Sequence, residues 1–386
     1  MSQYVADFPN GIRFQVDRLR RDRQELIGEL TVKMATDRAV NGCLITGDFN
    51  FSSVRARQDR AKLLQQRANT NGSVDWFKLL EEFCQRVFQA EREGDPAIDL
   101  RTFPKPAADD ELAIDGLALP RRHPSIIFGD GGTSKSLLAL MILGRLAQRG
   151  LNVALCDWEM SGEDHRERLE HLFGPDMPRI LYLRCERPLT VEADRIRRVV
   201  RENKMDYVAY DSVAFACDGP PEAAETAGRY FRAIREIGPG SVHLAHVTKG
   251  EDNDKRPFGS AFWHNGARST WNIQAAEPTP DGSFQVALYN RKTNLSAIRR
   301  PVSYVVQFSN DRAEFRPADI ADSPDLAGKL TIRQRLIPLL KRGSMSIEAL
   351  AEALDERPDS VRKTLVRNYK VFTYVGGDQY GLLQRT

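Results

Sequence analysis

The segment Gly129-Asp-Gly-Gly-Thr-Ser-Lys135-Ser136 limits what this chain can fold into more than any other part of it. It follows the apolar run Ser125–Phe128 and opens straight into Leu-Leu-Ala-Leu-Met-Ile-Leu. Strand, glycine-rich loop and helix start, in that order, aim several backbone N–H groups and a helix dipole at one point, which favours a di- or triphosphate. In such a cradle Gly129, Asp130, Gly131, Gly132, Thr133, Ser134 and Leu137 surround the phosphates. Lys135 reaches the outer ones, and the Ser136 hydroxyl sits on Mg²⁺. The pattern asks for glycine where this chain has Ser134. If that position needs a positive φ, serine costs on the order of 1 kcal/mol.

Around the loop, β-rich runs alternate with helical ones. Ser125–Phe128 precedes a helix from Lys135, and the runs Asn152–Cys156 and Arg179–Arg184 precede a helix through Arg195–Asn203. Tyr207–Tyr210 precedes a helix through Ala223–Ile237, and Val242–His246 follows. This rhythm predicts an α/β fold with a mostly parallel sheet covered by helices on both faces. Later strands at Trp271–Gln274, Phe284–Tyr289 and Val302–Phe308 extend it. Upstream, alternating apolar positions from Gly11 to Met34 predict a two-stranded ribbon. Helical spacing then runs through Val54–Leu64 and Trp76–Phe88. The Pro-, Asp- and Ala-rich stretch from Gly94 to Arg122 reads as a linker. Past Ala327, helices at Ile332–Lys341, Ile347–Leu354 and Asp359–Tyr369 lead into a hairpin around Gly376-Gly-Asp378. These shifts predict a small α+β region over 1–110, the nucleotide domain over 111–325 and a third domain over 326–386. No internal repeat is present.

Apolar residues make up 41% and charged residues 28% of the 386, so the whole chain is expected to fold, as more than one domain. The start, Met1-Ser-Gln-Tyr-Val-Ala-Asp, has no secretion signal, and no run is long enough to span a bilayer. Five scattered cysteines give neither a disulfide framework nor a metal motif, which points to the cytoplasm. With a net charge of +3, affinity for nucleic acid must come from local patches.

Hydrolysis needs more than a cradle: a carboxylate on the metal and a group that orients water. Asp211 ends the strand Tyr207-Val-Ala-Tyr and is the metal-side candidate; capping the next turn is its plainer alternative. A second acid does not follow it, since the next residue is Ser212. The second strand instead runs out through Asp157-Trp-Glu159, at the edge where ligands bind in such sheets. Glu159 is the chosen water-activating base, with Asp157 as competitor and helix capping as the alternative for either. His246, after the fifth strand, is a candidate γ-phosphate sensor. His243 and His246 lie three apart on a strand and face opposite ways, which removes them as a metal pair.

Together these segments, over roughly Leu117 to Phe308, resemble the RecA-like ATPases, specifically the RepA-like hexameric helicase branch, with DnaB-type helicases as more distant relatives. The likeness rests on Gly129–Ser136, Trp158-Glu159-Met160-Ser, Tyr210-Asp211-Ser212 and His246-Val-Thr-Lys249. It also rests on Phe258-Gly-Ser-Ala261 with Gly266-Ala-Arg268, and on Arg291-Lys-Thr-Asn294. The resemblance implies a ring, usually of six copies, with ATP and Mg²⁺ between subunits and Glu159 as the catalytic glutamate. Arg291 and Lys292 would reach a neighbour's γ-phosphate. Two departures stand out: Ser134, and a single His246 where relatives often carry a His pair.

Lys255, Arg256 and Phe258 lie on a loop that faces the central channel in RecA-like rings, where basic and aromatic residues suit single-stranded DNA. The acidic Glu251, Asp252 and Asp254 argue for a plain surface loop instead. From Leu330 onward ten basic residues face six acidic ones. The helix succession there resembles a winged helix-turn-helix that would turn Ser360, Arg362, Lys363 and Arg367 toward a duplex groove. A protein contact is the other use of such a unit. The sequence therefore predicts an ATP-hydrolysing ring acting on single-stranded DNA, a replicative helicase of a plasmid, phage or other mobile element. The alternatives are an ATP-gated DNA-binding regulator and a recombination mediator that does not unwind.

Overall fold

The computed structural model describes residues 4–36, 39–68, 70, 72–94, 97–105, 110–247, 256–294, 298–328 and 330–383. The chain forms two compact units, Met1–Pro106 and Ala107–Thr386. No helix among the described residues is long and apolar enough to cross a membrane.

In the first unit, strands β1 (Tyr4–Phe8), β2 (Ile12–Asp22), β3 (Glu25–Lys33) and β4 (Cys43–Asn50) form an antiparallel sheet in chain order. Helices α1 (Val54–Ala68) and α2 (Trp76–Glu93) follow. The expected two-stranded ribbon is thus the middle of a four-stranded sheet. Its inward residues Phe14, Val16, Leu30 and Val32 join Leu64, Trp76, Leu80 and Phe83 of the helices in one core. Asp75 caps α2 by accepting from the Lys78 N–H at 3.0 Å.

The second unit opens with a hairpin, β5 (Glu111–Ile114) and β6 (Leu117–Pro120), inside the stretch read as linker. Leu112, Ile114, Leu117 and Leu119 are buried in the main core, so this part of the stretch is folded and not a linker. Then come β7 (Pro124–Phe128), α3 (Lys135–Gln148), β8 (Val153–Asp157), α4 (Gly162–Phe173), β9 (Ile180–Arg184) and α5 (Leu189–Glu202). They are followed by β10 (Tyr207–Asp211), α6 (Val213–Ala216), α7 (Ala224–Ile237), β11 (Gly240–Ala245), α8 (Ala261–Gly266), β12 (Ser269–Ala275), β13 (Phe284–Thr293), β14 (Val302–Ser309) and β15 (Arg312–Ala318). The sheet order is β15-β14-β13-β12-β7-β11-β10-β8-β9. The strands from β12 to β9 run parallel, while β13, β14 and β15 add antiparallel pairs at one edge.

The inner parallel strands β7, β8, β10 and β11 are buried on both faces because each face is covered. Helix α3 buries Leu138, Met141, Ile142 and Leu146 against Ile127, Leu155 and Leu244 on one side. On the other, Ile196 of α5 and Tyr230, Phe231 and Ile234 of α7 pack on Ile126, Ala154 and Val208. Among the elements with no counterpart in the sequence reading are α4 and β15, with β1 and β4 in the first unit. Helix α4 is short of apolar residues and is fixed instead by a capping box between Ser161 and Asp164.

The C-terminal residues form α9 (Pro324–Ala327), α10 (Ile332–Lys341), β16 (Met345–Ser346), α11 (Ile347–Leu354), α12 (Pro358–Arg367), β17 (Phe372–Gly376) and β18 (Gln379–Leu382). Leu336, Leu350, Val361, Leu365 and Phe372 give them a small core of their own.

Close packing of α3 against α4 leaves room for no side chain at Gly144, where an added Cβ would come within 2.2 Å of the Phe173 ring. Gly144→Ala is expected to destabilise the protein by roughly 1–3 kcal/mol despite the better helix propensity of alanine. A urea titration against the parent checks it, and an unchanged midpoint would mean that Phe173 moves freely.

Candidate active site

Four strand ends meet at the carboxyl edge of the parallel sheet. The phosphate loop leaves β7, the Glu159 turn leaves β8, Asp211 closes β10, and His246 follows β11. Because β11 lies between β7 and β10, His246 comes between the loop and Asp211. One pocket gathers Gly131, Gly132, Ser134, Lys135, Ser136, Leu137, Glu159, Asp211, Ser212 and His246. Gly129, Asp130 and Thr133 shape the loop without lining that pocket. Gly129 passes so close to β12 that a Cβ would lie 2.4 Å from the Ile273 carbonyl oxygen. The Thr133 hydroxyl donates to the Asp130 carbonyl at 2.8 Å.

Ser134 has φ 59° and ψ 29°, the left-handed conformation that glycine would adopt without cost. It is the residue before α3, and its carbonyl accepts the first helix bond, from the Leu138 N–H at 2.8 Å. The Lys135 ammonium is largely buried and donates to the carbonyls of Gly129 at 2.9 Å and Asp130 at 2.6 Å. Burial pushes its pKa down, and the nearby Asp211, Asp130 and Glu159 offset this in part. An anionic phosphate at the loop would stabilise the charged form further.

Asp211 is almost fully buried, and its Oδ2 has no hydrogen-bond partner. Burial, with the negative charges of Glu159 and Asp157 nearby, pushes its pKa up to about 6, against a lowering by the Ser136 hydroxyl. A buried carboxylate with an idle oxygen beside a serine hydroxyl is a donor set for a hard divalent cation, so the residues fit Mg²⁺. His246 is half-buried, and burial followed by the Lys135 charge lowers its pKa. His243 points the other way and is bonded to the Tyr230 hydroxyl at 2.9 Å and Ser241 Oγ at 2.8 Å. Burial pushes it down to about 3, so it is a neutral core residue.

The two candidate bases part company. Glu159 is exposed and lines the pocket. Asp157 lies beneath the turn, fully buried. Its carboxylate accepts the N–H of Glu159 at 3.1 Å, the N–H of Met160 at 3.1 Å and the Tyr182 hydroxyl at 3.0 Å. Burial raises its pKa, but His165 and these N–H groups outweigh that and hold it below the usual carboxylate range. Asp157, His165 and Asp211 bring one ligand atom each within 4.8 Å of one another, a grouping that resembles a metal set. Both oxygens of Asp157 already accept from protein donors, which makes it a poorer cation ligand than Asp211.

Arg168 and His171 of α4, with Phe308 and Ala313 of β14 and β15, form the rest of the pocket wall. The sequence reading did not reach them; Phe308, an exposed aromatic at a strand end, was the available signal. Arg291 and Lys292 do not line this pocket. Arg291 lies over the Tyr289 ring, 5.2 Å from its centre. The Lys292 ammonium donates to the carbonyls of His264, Asn265 and Ala267 at 2.9, 2.9 and 2.7 Å, closing the end of α8. Of the loop residues, Lys255 falls outside the described residues, Arg256 is exposed, and the half-buried Phe258 donates its N–H to the His246 carbonyl at 2.8 Å. Arg362, Lys363 and Arg367 are exposed on α12.

Strand order and loop position set the fold: a RecA-like α/β core with a phosphate loop between β7 and α3. No protein-family model matches the chain, and no curated protein does. Among solved structures it is similar to a KaiC-like protein from the hyperthermophilic archaeon Pyrococcus horikoshii. The two are 14% identical, the match covers 52% of this chain and 91% of that one, and the TM-score is 0.41. A likeness of that size carries no argument about activity, which rests on this chain's own residues.

Two outcomes are expected. Ser134→Gly relieves the left-handed serine and should raise stability by about 1 kcal/mol, read from thermal melts; a loss would show that the serine side chain supports the loop. For metal-free Asp211 the folded value, about 6, lies above the ordinary 3.8, so folding takes up a proton and stability falls as pH rises through that window. Asp211→Asn should therefore melt higher than the parent above pH ~6, by on the order of 2 kcal/mol, with the gain gone below pH ~4. Equal melts at neutral pH would show that the charge is not held at a cost.

Proposed function

We propose that the protein is a Mg²⁺-dependent ATPase of the RepA-like branch that assembles as a ring and moves along or remodels single-stranded DNA during replication of a mobile element. The observation that carries the ATPase reading is the convergence of Lys135, Ser136, Glu159, Asp211 and His246 on one pocket. In this reading the N–H groups from Gly131 to Ser136 hold the outer phosphates and Lys135 neutralises them. Ser136 and Asp211 would hold Mg²⁺, which would supply charge compensation to the phosphates. Glu159 orients a water for in-line attack and takes its proton, with Lys135 stabilising the charge that builds on the departing oxygen. His246 reports on the γ-phosphate by hydrogen bond. Phe308 offers a face for the base, and Arg168 a cation beside it.

The DNA part of the proposal is supported by exposed Arg362, Lys363 and Arg367 on α12, read as the recognition helix of a winged unit over 326–386, and by Arg256 and Phe258 ahead of α8. Ring assembly is supported by the pattern Arg291-Lys-Thr-Asn294, whose basic residues lie away from their own pocket.

Steady-state ATPase rates with Mg²⁺, with and without single-stranded DNA, test the proposal. Lys135→Ala should abolish turnover. Glu159→Gln should keep ATP binding and lose about 10²–10⁴ in rate. Tight ATP binding with negligible turnover in the parent would favour the ATP-gated regulator, and full turnover in Lys135→Ala would end the ATPase reading.

A further inference from the structure

Helix α4 places one side chain where the pocket has no evident use for it. His165 is 4% exposed and neither ring nitrogen has a hydrogen-bond partner, an arrangement that costs free energy unless something is gained from it. Its position is fixed from several directions. The capping box at Ser161 and Asp164 sets the start of α4. Gly162 packs on the Tyr182 ring, which leaves only 3.1 Å for an added Cβ, and the His165 ring lies 5.8 Å from the centre of the same ring. There Nε2 is 3.6 Å from Asp157 Oδ2, and one imidazole nitrogen, one Asp157 oxygen and one Asp211 oxygen lie within 4.8 Å of one another.

Asp157 and Asp211 are register partners on adjacent parallel strands, so two carboxylates face the same buried space. One holds the turn that carries Glu159; the other has an idle oxygen and belongs to a residue that lines the phosphate pocket. We propose that His165 is a positioning residue that bridges Asp157 and Asp211, fixing Asp211 for its divalent cation and tying that aspartate to the turn that carries Glu159. The inference rests on the reading of Asp211 as a cation ligand and goes beyond it, since nothing in the phosphate-loop pattern calls for a histidine in α4. Partners behind a metal ligand orient it, and their loss typically weakens metal binding by about 10–100-fold.

Mn²⁺ binding to the full chain with ADP, followed by electron paramagnetic resonance, tests the proposal without relying on turnover. His165→Phe keeps the ring volume beside Tyr182 and removes both nitrogens. It should weaken Mn²⁺ by about tenfold or more and leave ADP binding in a chelator unchanged; His165→Asn should recover part of the loss. His165→Leu makes the same comparison if the phenylalanine variant does not fold. In a cycle with Asp157→Asn, the double variant should lose less than the sum of the two singles, because both act through one link. Parental Mn²⁺ affinity in either the phenylalanine or the leucine variant, even with a lower melting temperature, would overturn the bridge and leave the nucleotide site standing. Strictly additive losses would also overturn it. A parent that binds ADP but no Mn²⁺ would remove the cation reading of Asp211 and the bridge with it.

Discussion

Asp157 and Asp211 end neighbouring parallel strands in register, and both are withdrawn from water. Two like charges held this way repel each other in a medium that screens poorly, so the surroundings must supply compensation. The Glu159 and Met160 N–H groups, Tyr182 and Arg184 are gathered around Asp157. Asp211 is left short, with Ser136 beside it, one oxygen without a partner, and a place in the pocket that Lys135 also lines. Much of the carboxyl edge follows from this asymmetry: one carboxylate satisfied by protein and acting as structure, the other unsatisfied and open to a cation.

The central features of this edge were legible in the sequence because each depends on short-range order. A strand followed by a glycine-rich loop and a helix can be read from eight residues, and the strand ends at Glu159, Asp211 and His246 from the apolar runs before them. The left-handed Ser134 was anticipated as a condition and is met. What escaped were elements whose burial is one-sided or long-range. Strand β1 alternates only between half-buried and exposed positions, and β4 is interrupted by Gly47. The hairpin at 111–120 was hidden by the Pro and Asp around it, although Leu112, Ile114, Leu117 and Leu119 alternate about the Asp115-Gly116 turn. Helix α4 lacks an apolar stripe. Its buried His165 is visible only once tertiary contacts bring it to Asp157, and the capping pair Ser161 and Asp164 was its one local mark.

Outside the sheet, apolar burial is divided among separate cores. The first unit closes its own around Phe14, Trp76 and Phe83, and the C-terminal helices close another around Leu336 and Leu365. Substitutions in either should act on local stability before they touch the nucleotide pocket, whose residues all come from the sheet, its loops and two of its helices.

Lys292 illustrates how a local bond can bear on a distant one. Its ammonium caps three carbonyls at the end of α8, the helix that directly follows Phe258 and Ser260. One ammonium cannot neutralise an outside anion at full strength and still satisfy those three oxygens. Whatever draws Lys292 outward must therefore leave the last turn of α8 to water, and whatever steadies that turn holds the lysine at home. Occupancy at one end of this side chain and order at the other are opposite sides of a single equilibrium.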